Sequence, residues 1–199
     1  MPAVHAQTNI KTLPTGGSTQ GVAVNPVTHK AYLTNTNSSS VTIIDGRTLT
    51  ATNLAMPPGP YPIAVNPVTN KIYVGRVSGV TVIDGNDNSR VEISGGAGPA
   101  AIAVNTVTNK IYAANIGSNN VTVIDGSNNT AVTVPVGSEP QAIAVNPLTN
   151  KIYVVNNASN NVTVIDGTNN STVTVATGTF PTAVAVNAVT NRIYVTNNS

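Results

Sequence analysis

The stretch Ala142–Asn156, AIAVNPLTNKIYVVN, occurs in five copies, and no other feature constrains the fold as strongly. Its Asn recurs as Asn25, Asn66, Asn105, Asn146 and Asn187, at spacings of 41, 39, 41 and 41. Its Tyr recurs in the same phase as Tyr32, Tyr73, Tyr112, Tyr153 and Tyr194. Each copy reads as two short strands around a turn. Ala142–Asn146 and Lys151–Asn156 are rich in Val, Ile and Tyr, and Asn146-Pro147-Leu148-Thr149-Asn150 joins them. Pro147 has the fixed φ suited to the first corner of a type I turn. Asn150 tolerates the left-handed conformation that closes the hairpin.

Two more strand candidates follow in every full repeat. The third strands are Val41–Asp45, Val80–Asp84, Val121–Asp125 and Val162–Asp166; the fourth are Ala51–Ala55, Arg90–Ser94, Ala131–Val134 and Thr172–Val175. Turn residues separate strands at intervals of roughly ten, the rhythm of an all-β array, and no stretch has apolar residues at helical spacing. Ile102-Ala103-Val104 and Val121-Thr122-Val123-Ile124 are apolar or small on both alternating faces. A half-exposed sheet would alternate apolar with polar, so these strands are expected to be covered on both sides. Small four-stranded antiparallel sheets, each covered by the next, meet that demand: an all-β β-propeller of about five repeats of 39–41 residues. The array is expected over residues 8–199, after a disordered tail at 1–7. The short repeat has lost two residues between Arg76 and Asp84, in the loop joining its second and third strands. A loop accepts a deletion that would break a strand's register.

The motif Ile193-Tyr194-Val195-Thr196-Asn197 resembles the signature of the YVTN-family β-propeller repeats. The AVN-P-x-T-N-K-I-Y-V and V-T-V-I-D-G elements around it are similar to the same family, over essentially the whole chain. The resemblance implies an exported, periplasmic or cell-surface propeller. Some relatives bind ligands, sugars or nucleic acid, and lyases occur among similar propellers. It implies fold more strongly than function, because function lives in sites placed on folds.

Composition narrows the chemistry. Cysteine is absent, so disulfides and thiolate metal sites are excluded. Charged residues make up only 8% of the chain, with a net charge of +2. Most charges follow the repeat: Lys30, Lys71, Lys110, Lys151 and Arg192 hold one position, and Asp45, Asp84, Asp125 and Asp166 another. Dispersed charge of this kind is no track for nucleic acid, and no apolar run approaches the ~20 residues of a membrane span. Val4-His5-Ala6 before Gln7 resembles the end of an export signal, without the apolar region that should precede it.

Most repeated residues have structural readings. The Asp-Gly pairs lack the alternating acids and distal Glu of a calcium loop, and read as turns in which Gly supplies positive φ and Asp accepts backbone N–H bonds. The tyrosines, fixed in phase, read as inter-blade packing. The lysines read as solvated or paired with a neighbouring blade. His29 takes the turn position of Asn70, Asn109, Asn150 and Asn191, and with His5 it makes neither a zinc site nor a nucleophile relay. Asp87, Glu92 and Glu139 lie in different loop classes and suggest no glycosidase pair. No catalytic residue, metal or cofactor is therefore assigned.

Departures from the repeat carry the functional reading. The loops joining fourth to first strands and second to third strands should share one face. There the repeat-specific residues are Tyr61, Arg76, Glu139 and Phe180. Exposed aromatics and Arg are plausible anchors for a partner. The expected function is a non-enzymatic exported or surface scaffold that binds a protein or glycan partner through this loop face. One alternative is a lyase-like or hydrolytic propeller, needing converging groups with perturbed pKa values. Another is single-stranded nucleic-acid binding, needing stacked aromatics in a basic groove. Counting Asn9–Leu13 as a strand gives nineteen, one short of five complete blades; the absent element is a third strand of the V-T-V-I-D-G type. Either Asn9–Leu13 pairs with Arg192–Asn197 to close a five-bladed ring, or the array is an open arc of a longer propeller. The open arc is the expectation, with apolar terminal faces that favour self-association.

Overall fold

The computed structural model describes residues 11–198, which fold into five consecutive sheets. The first blade contains β1 (Thr19–Asn25), β2 (Lys30–Asn35), β3 (Ser40–Asp45) and β4 (Thr50–Ala55). The second contains β5 (Ile63–Asn66), β6 (Lys71–Arg76), β7 (Gly79–Asp84) and β8 (Arg90–Ile93). The third contains β9 (Pro99–Asn105), β10 (Lys110–Asn115), β11 (Asn120–Asp125) and β12 (Ala131–Pro135). The fourth contains β13 (Pro140–Asn146), β14 (Lys151–Asn156), β15 (Asn161–Asp166) and β16 (Thr172–Ala176). A half blade, β17 (Pro181–Asn187) and β18 (Arg192–Asn197), ends the series. Strands pair antiparallel with their sequence neighbours throughout. The first strands pack side by side in the order β1, β5, β9, β13, β17 and form the inner rim.

Each junction between blades repeats one contact. The face carrying the repeat Tyr meets the opposite face of the next blade. Tyr32, Val41 and Ile43 pack on Ile72, Val74 and Ile83. Tyr73, Val80 and Val82 pack on Ile111, Ala113 and Ile124. Tyr112, Val121 and Val123 pack on Ile152, Val154 and Ile165. Tyr153, Val155 and Val162 pack on Val184, Val186, Ile193 and Val195. The six isoleucines named on receiving faces of the second to fourth blades and the tyrosines of the first three are wholly buried. Each such side chain contributes about 1.5–3 kcal/mol by leaving water.

At the ends the same faces are bare. Val22 and Val24 of β1 are exposed, as is Tyr194, at 55%. Among the described residues β17 does not pack along β1, and the five sheets form an open arc. Asn9 and Ile10 of the expected N-terminal strand lie outside the described residues, and Lys11–Leu13 form no strand.

Polar ladders bind the blades along the face of the tight turns. Asn25, Asn66, Asn105 and Asn146 are fully buried. Each Oδ1 accepts the N–H groups of its own turn, as Asn105 does from Val107 at 3.0 Å and Thr108 at 3.3 Å. Each Nδ2 donates to the turn Asn of the next blade: Asn25 to Asn70, Asn66 to Asn109, Asn105 to Asn150 and Asn146 to Asn191, at 2.9–3.0 Å. The receiving asparagines and His29 hold φ of 52–58°, the left-handed corner expected for them. The lysines form a second ladder. Lys30, Lys71 and Lys110 donate to the carbonyls of Gly85, Gly126 and Gly167 in the following blade. Lys151 instead bonds Asp166 of its own blade at 2.7 Å.

Two expectations need correction. The Asp of each Asp-Gly pair does accept its turn's N–H groups, as Asp45 does from Arg47 at 2.8 Å. The glycine, however, does not carry the positive φ; Leu49, Asn88, Asn129 and Asn170 do, three residues further on. Glycine is required there because the turn rests on the hairpin beside it. A Cβ on Gly46 would stand 2.7 Å from the His29 carbonyl oxygen, and one on Gly85 2.7 Å from that of Asn70. Secondly, it is the second and third strands that are buried on both faces. The first strands, such as β9, are only half buried because they line the inner rim.

Candidate functional site

The loop face is built as the repeat implied. Loops from fourth to first strands and from second to third strands alternate on it and are joined by backbone hydrogen bonds. Gly98 N donates to Val77 O at 2.9 Å, and Ile116 N donates to Gly98 O at 3.1 Å. Asn157 N donates to Glu139 O at 3.0 Å.

The shortened loop of the second blade makes this belt uneven. β6 and β7 are joined by Val77 and Ser78 alone, and Gly79, at φ 118°, completes the turn. Beside it lies a cleft of about 470 Å³ lined by Tyr61, Arg76, Val77, Ala100, Ile116 and Gln141, among others. Tyr61 is 50% exposed, and Val77 and Ile116 are exposed beside it. The lining is mostly apolar, with the phenol, the guanidinium and the Gln141 amide as its polar groups.

Arg76 is held rigidly. In the third and fourth blades the equivalent residue is a buried Asn: Asn115 Nδ2 donates to Asn120 Oδ1 at 2.8 Å and to Thr122 Oγ1 at 2.9 Å, and Asn156 does the same with Asn161 and Thr163. In the second blade Arg76 replaces this with an ion pair to Glu92 at 2.6 Å, and Glu92 also accepts from Thr81 Oγ1 at 2.8 Å. The Arg76 side chain is only 12% exposed, and its Nε lacks a partner among the described residues. Both Arg76 and Glu92 depart from the repeat and both lie in the second blade. That coincidence could have found the pair, but the sequence reading placed Glu92 among loop acids, whereas it lies in β8.

Glu139 and Phe180 occupy a different position. They are equivalent to Ser18, Gly59 and Gly98, and all five residues are left-handed, Glu139 at φ 53° and Phe180 at 49°. Their amides donate to side chains of the preceding blade, Glu139 N to Asn119 Oδ1 at 2.9 Å and Phe180 N to Asn160 Oδ1 at 2.7 Å. Phe180 is 54% exposed. The structure thus brings Tyr61 and Arg76 into one cleft and leaves Glu139 and Phe180 on the same face outside it. Val77, Ile116 and Gln141 are cleft residues that the sequence reading did not single out. Only loop position could have marked Val77 and Ile116, because apolar residues are common throughout the repeats, and Gln141 lies at the start of β13.

Perturbed titration is concentrated away from this cleft, on the tight-turn face. Burial pushes the Tyr73 and Tyr112 phenols up to about 12, with Asp125 and Asp166 of the following blades adding to the shift. The Lys151 ammonium, then the Thr168 amide, lowers the Asp166 carboxyl to about 2. Asp125 is lowered chiefly by the Ser127 hydroxyl and amide, and Asp45 by the Thr48 and Arg47 amides. These are turn carboxylates accepting local hydrogen bonds.

No protein-family model and no curated protein sequence matches the chain. Solved structures do. Hydrazine synthase of Kuenenia stuttgartiensis superimposes with a TM-score of 0.79 at 21% identity, covering 94% of this chain and 58% of that one. The β-propeller domain of Myceliophteria thermophila Cps50 (Swd1) superimposes at 0.75 and 12% identity, covering 94% and 65%. The chain is a β-propeller array. A chain of a nidogen/laminin complex is also similar, at 0.69 and 14% identity over 90% of this chain and 72% of that one. At these identities the likeness establishes the fold and nothing more. This chain spans 58% of the hydrazine synthase chain and 65% of the Cps50 domain.

Proposed function

We propose that the chain is a non-enzymatic binding scaffold of YVTN type, exported or displayed at a cell surface, that engages a protein or glycan partner through its loop face. The observation that carries this reading is the cleft beside the shortened loop. Its residues are departures from an otherwise regular repeat, and they combine a half-exposed aromatic ring, exposed aliphatics and a fixed guanidinium. Buried or partly buried aromatic and Arg anchors dominate contact energies at interfaces. The charged group of the cleft is already neutralised by Glu92, so the site offers shape and apolar surface more than a proton donor or acceptor. The left-handed Phe180 supports the same face. The left-handed backbone recurs at this position in every blade, so what is particular to Phe180 is a large exposed ring held there at a cost of about 1–2 kcal/mol. Export accords with the family resemblance of the Ile193–Asn197 motif.

The test is capture of partners by the intact immobilised protein, from a protein extract and on a glycan array, followed by variants. Tyr61→Ala should weaken a specific interaction by roughly tenfold or more, the loss typical of an aromatic anchor. Binding unchanged by Tyr61→Ala and Phe180→Ala together, with the fold intact, overturns the loop-face assignment.

A further inference from the structure

One repeat position precedes the buried turn asparagine by five residues and reads Gln20, Tyr61, Ala100, Gln141 and Thr182 through the five blades. In four of them it is the extra residue of a β-bulge. The register passes from Pro99 to Ala101 against β10, and from Pro140 to Ala142 against β14, with the same shift in the first and fifth blades. A bulged residue has no partner across the ladder, and the bulge re-aims its side chain. Tyr61, Ala100 and Gln141, from three consecutive blades, all line the loop-face cleft.

The cleft is the gap left by the middle one. Ala100 is small where its neighbours carry a phenol ring and a carboxamide. Two further departures widen the gap. The turn between β6 and β7 is short, and Gly98 stands where the next two blades carry Glu139 and Phe180. Packing does not demand glycine there: a Cβ on Gly98 would meet nothing nearer than Ile116 Cγ2, at 3.6 Å. Three reductions in size thus meet at one junction. The space they leave, about 470 Å³, lies within the range of roughly 300–1,000 Å³ usual for ligand pockets.

The chemistry of the lining selects the occupant. Val77 and Ile116 give aliphatic walls. Arg76 is the charged residue of the lining, and its ion pair with Glu92 cancels that charge. An uncharged group therefore fits best, since a buried charge needs a partner. A sugar ring carries several hydroxyls, each both donor and acceptor. Against these the cleft sets the Tyr61 phenol, the Gln141 carboxamide and a guanidinium already engaged. Most sugar hydroxyls would be left unpaired, and burying an unpaired hydroxyl is costly. A peptide asks for less. One aliphatic or aromatic side chain fills the gap, and a carboxamide can both donate to and accept from a peptide unit.

We propose that the cleft is the anchor pocket for one uncharged, apolar side chain of a protein partner, seated over Ala100 between Tyr61 and Gln141, and that Ala100 and Gly98 set the size of side chain admitted. This narrows the loop-face reading, on which it rests, from a protein or glycan partner to a protein.

The probes are N-acetyl-leucinamide, N-acetyl-phenylalaninamide, N-acetyl-lysinamide and N-acetylglucosamine. Each is titrated into the intact 199-residue protein and followed by NMR through the methyl groups of Val77, Ala100 and Ile116. The two apolar amides should move these signals saturably, in the millimolar range expected of ligands this small. The lysine amide and the sugar should bind at least tenfold more weakly. Ala100→Gln and Gly98→Phe should each weaken the apolar amides by about tenfold or more. Gln141 and Phe180 already hold these positions in other blades, so the fold accepts both side chains. If a variant nevertheless fails to fold, the comparison of probes on the unaltered protein still decides. Binding of the sugar at these methyls as strong as that of the apolar amides overturns the proposal and leaves the loop-face reading standing, with a glycan as its partner. Equal binding of the lysine amide also overturns it. So does the absence of saturable movement with both apolar amides, and the loop-face reading then rests on the Tyr61→Ala and Phe180→Ala capture experiment alone.

Discussion

The asparagine ladder yields a quantitative expectation. Asn105 is fully buried and makes three hydrogen bonds: its Oδ1 accepts from the amides of Val107 and Thr108, and its Nδ2 donates to Asn150 Oδ1 at 3.0 Å. Replacing it with Ala removes all three. The two turn amides lie beside exposed side chains, so water replaces much of what they lose; the bond across the junction has no such substitute. A typical net hydrogen bond contributes about 1 kcal/mol, and an orphaned buried group costs more, so Asn105→Ala should cost roughly 2–3 kcal/mol. Asn150→Gly removes the acceptor while keeping a residue suited to φ 52°, and should cost about 1 kcal/mol. The double variant should cost less than the sum of the singles by about 1 kcal/mol, the coupling across the junction. Urea denaturation followed by circular dichroism, at unchanged slope, measures all three. Asn187 is the control, being exposed with a single turn bond, from Thr190 N at 3.1 Å. Asn187→Ala should cost under about 1 kcal/mol. Strict additivity of Asn105→Ala and Asn150→Gly, or equal costs at Asn105 and Asn187, would refute the ladder as an inter-blade tie.

The remaining expectations concern titration and strain. The Asp166 carboxyl, lowered to about 2, favours the folded state at neutral pH, and that contribution fades as pH falls from the ordinary carboxylate range through about 2. Carbon NMR titration should show Lys151→Met moving Asp166 back towards the ordinary value. Tyr73 and Tyr112, raised to about 12, stabilise the fold fully below the ordinary phenol pKa near 10, and that stability is lost as pH rises from there through about 12. Ultraviolet titration should show late-ionising phenols coupled to alkaline unfolding; complete ionisation of a still-folded protein near pH 10 would contradict this. Phe180→Gly should raise stability by about 0.5–1 kcal/mol by relieving the left-handed backbone, measured as a higher denaturation midpoint.

The regular part of this molecule was readable from sequence because each repeated residue answers a local demand that recurs. The left-handed turn Asn, the Tyr at the junction and the third-strand Val-Ile pattern are each forced by geometry common to every blade. The reading failed where the demand crosses between elements. The glycine of the Asp-Gly pair is explained by the hairpin it rests on, and no property of its own turn reveals that. The grouping of Tyr61 with Arg76, apart from Glu139 and Phe180, depends on which loops meet around a two-residue turn. The repeat series supplies the face of those loops but not their distances.

The uniform hand of the junctions gives the array a direction, as in a filament with unlike ends. At each junction a tyrosine face meets the aliphatic face of the next blade, and the asparagine ties, with the lysine ties of the first three blades, point the same way. Removal of one complete repeat therefore brings a tyrosine face onto an aliphatic face of the same kind, with every surviving tie still in reach. Removal of half a repeat leaves two unlike surfaces opposed. The unit that can be gained or lost is the whole blade, so the length of such a chain changes in steps of about forty residues, the period set by its own sequence.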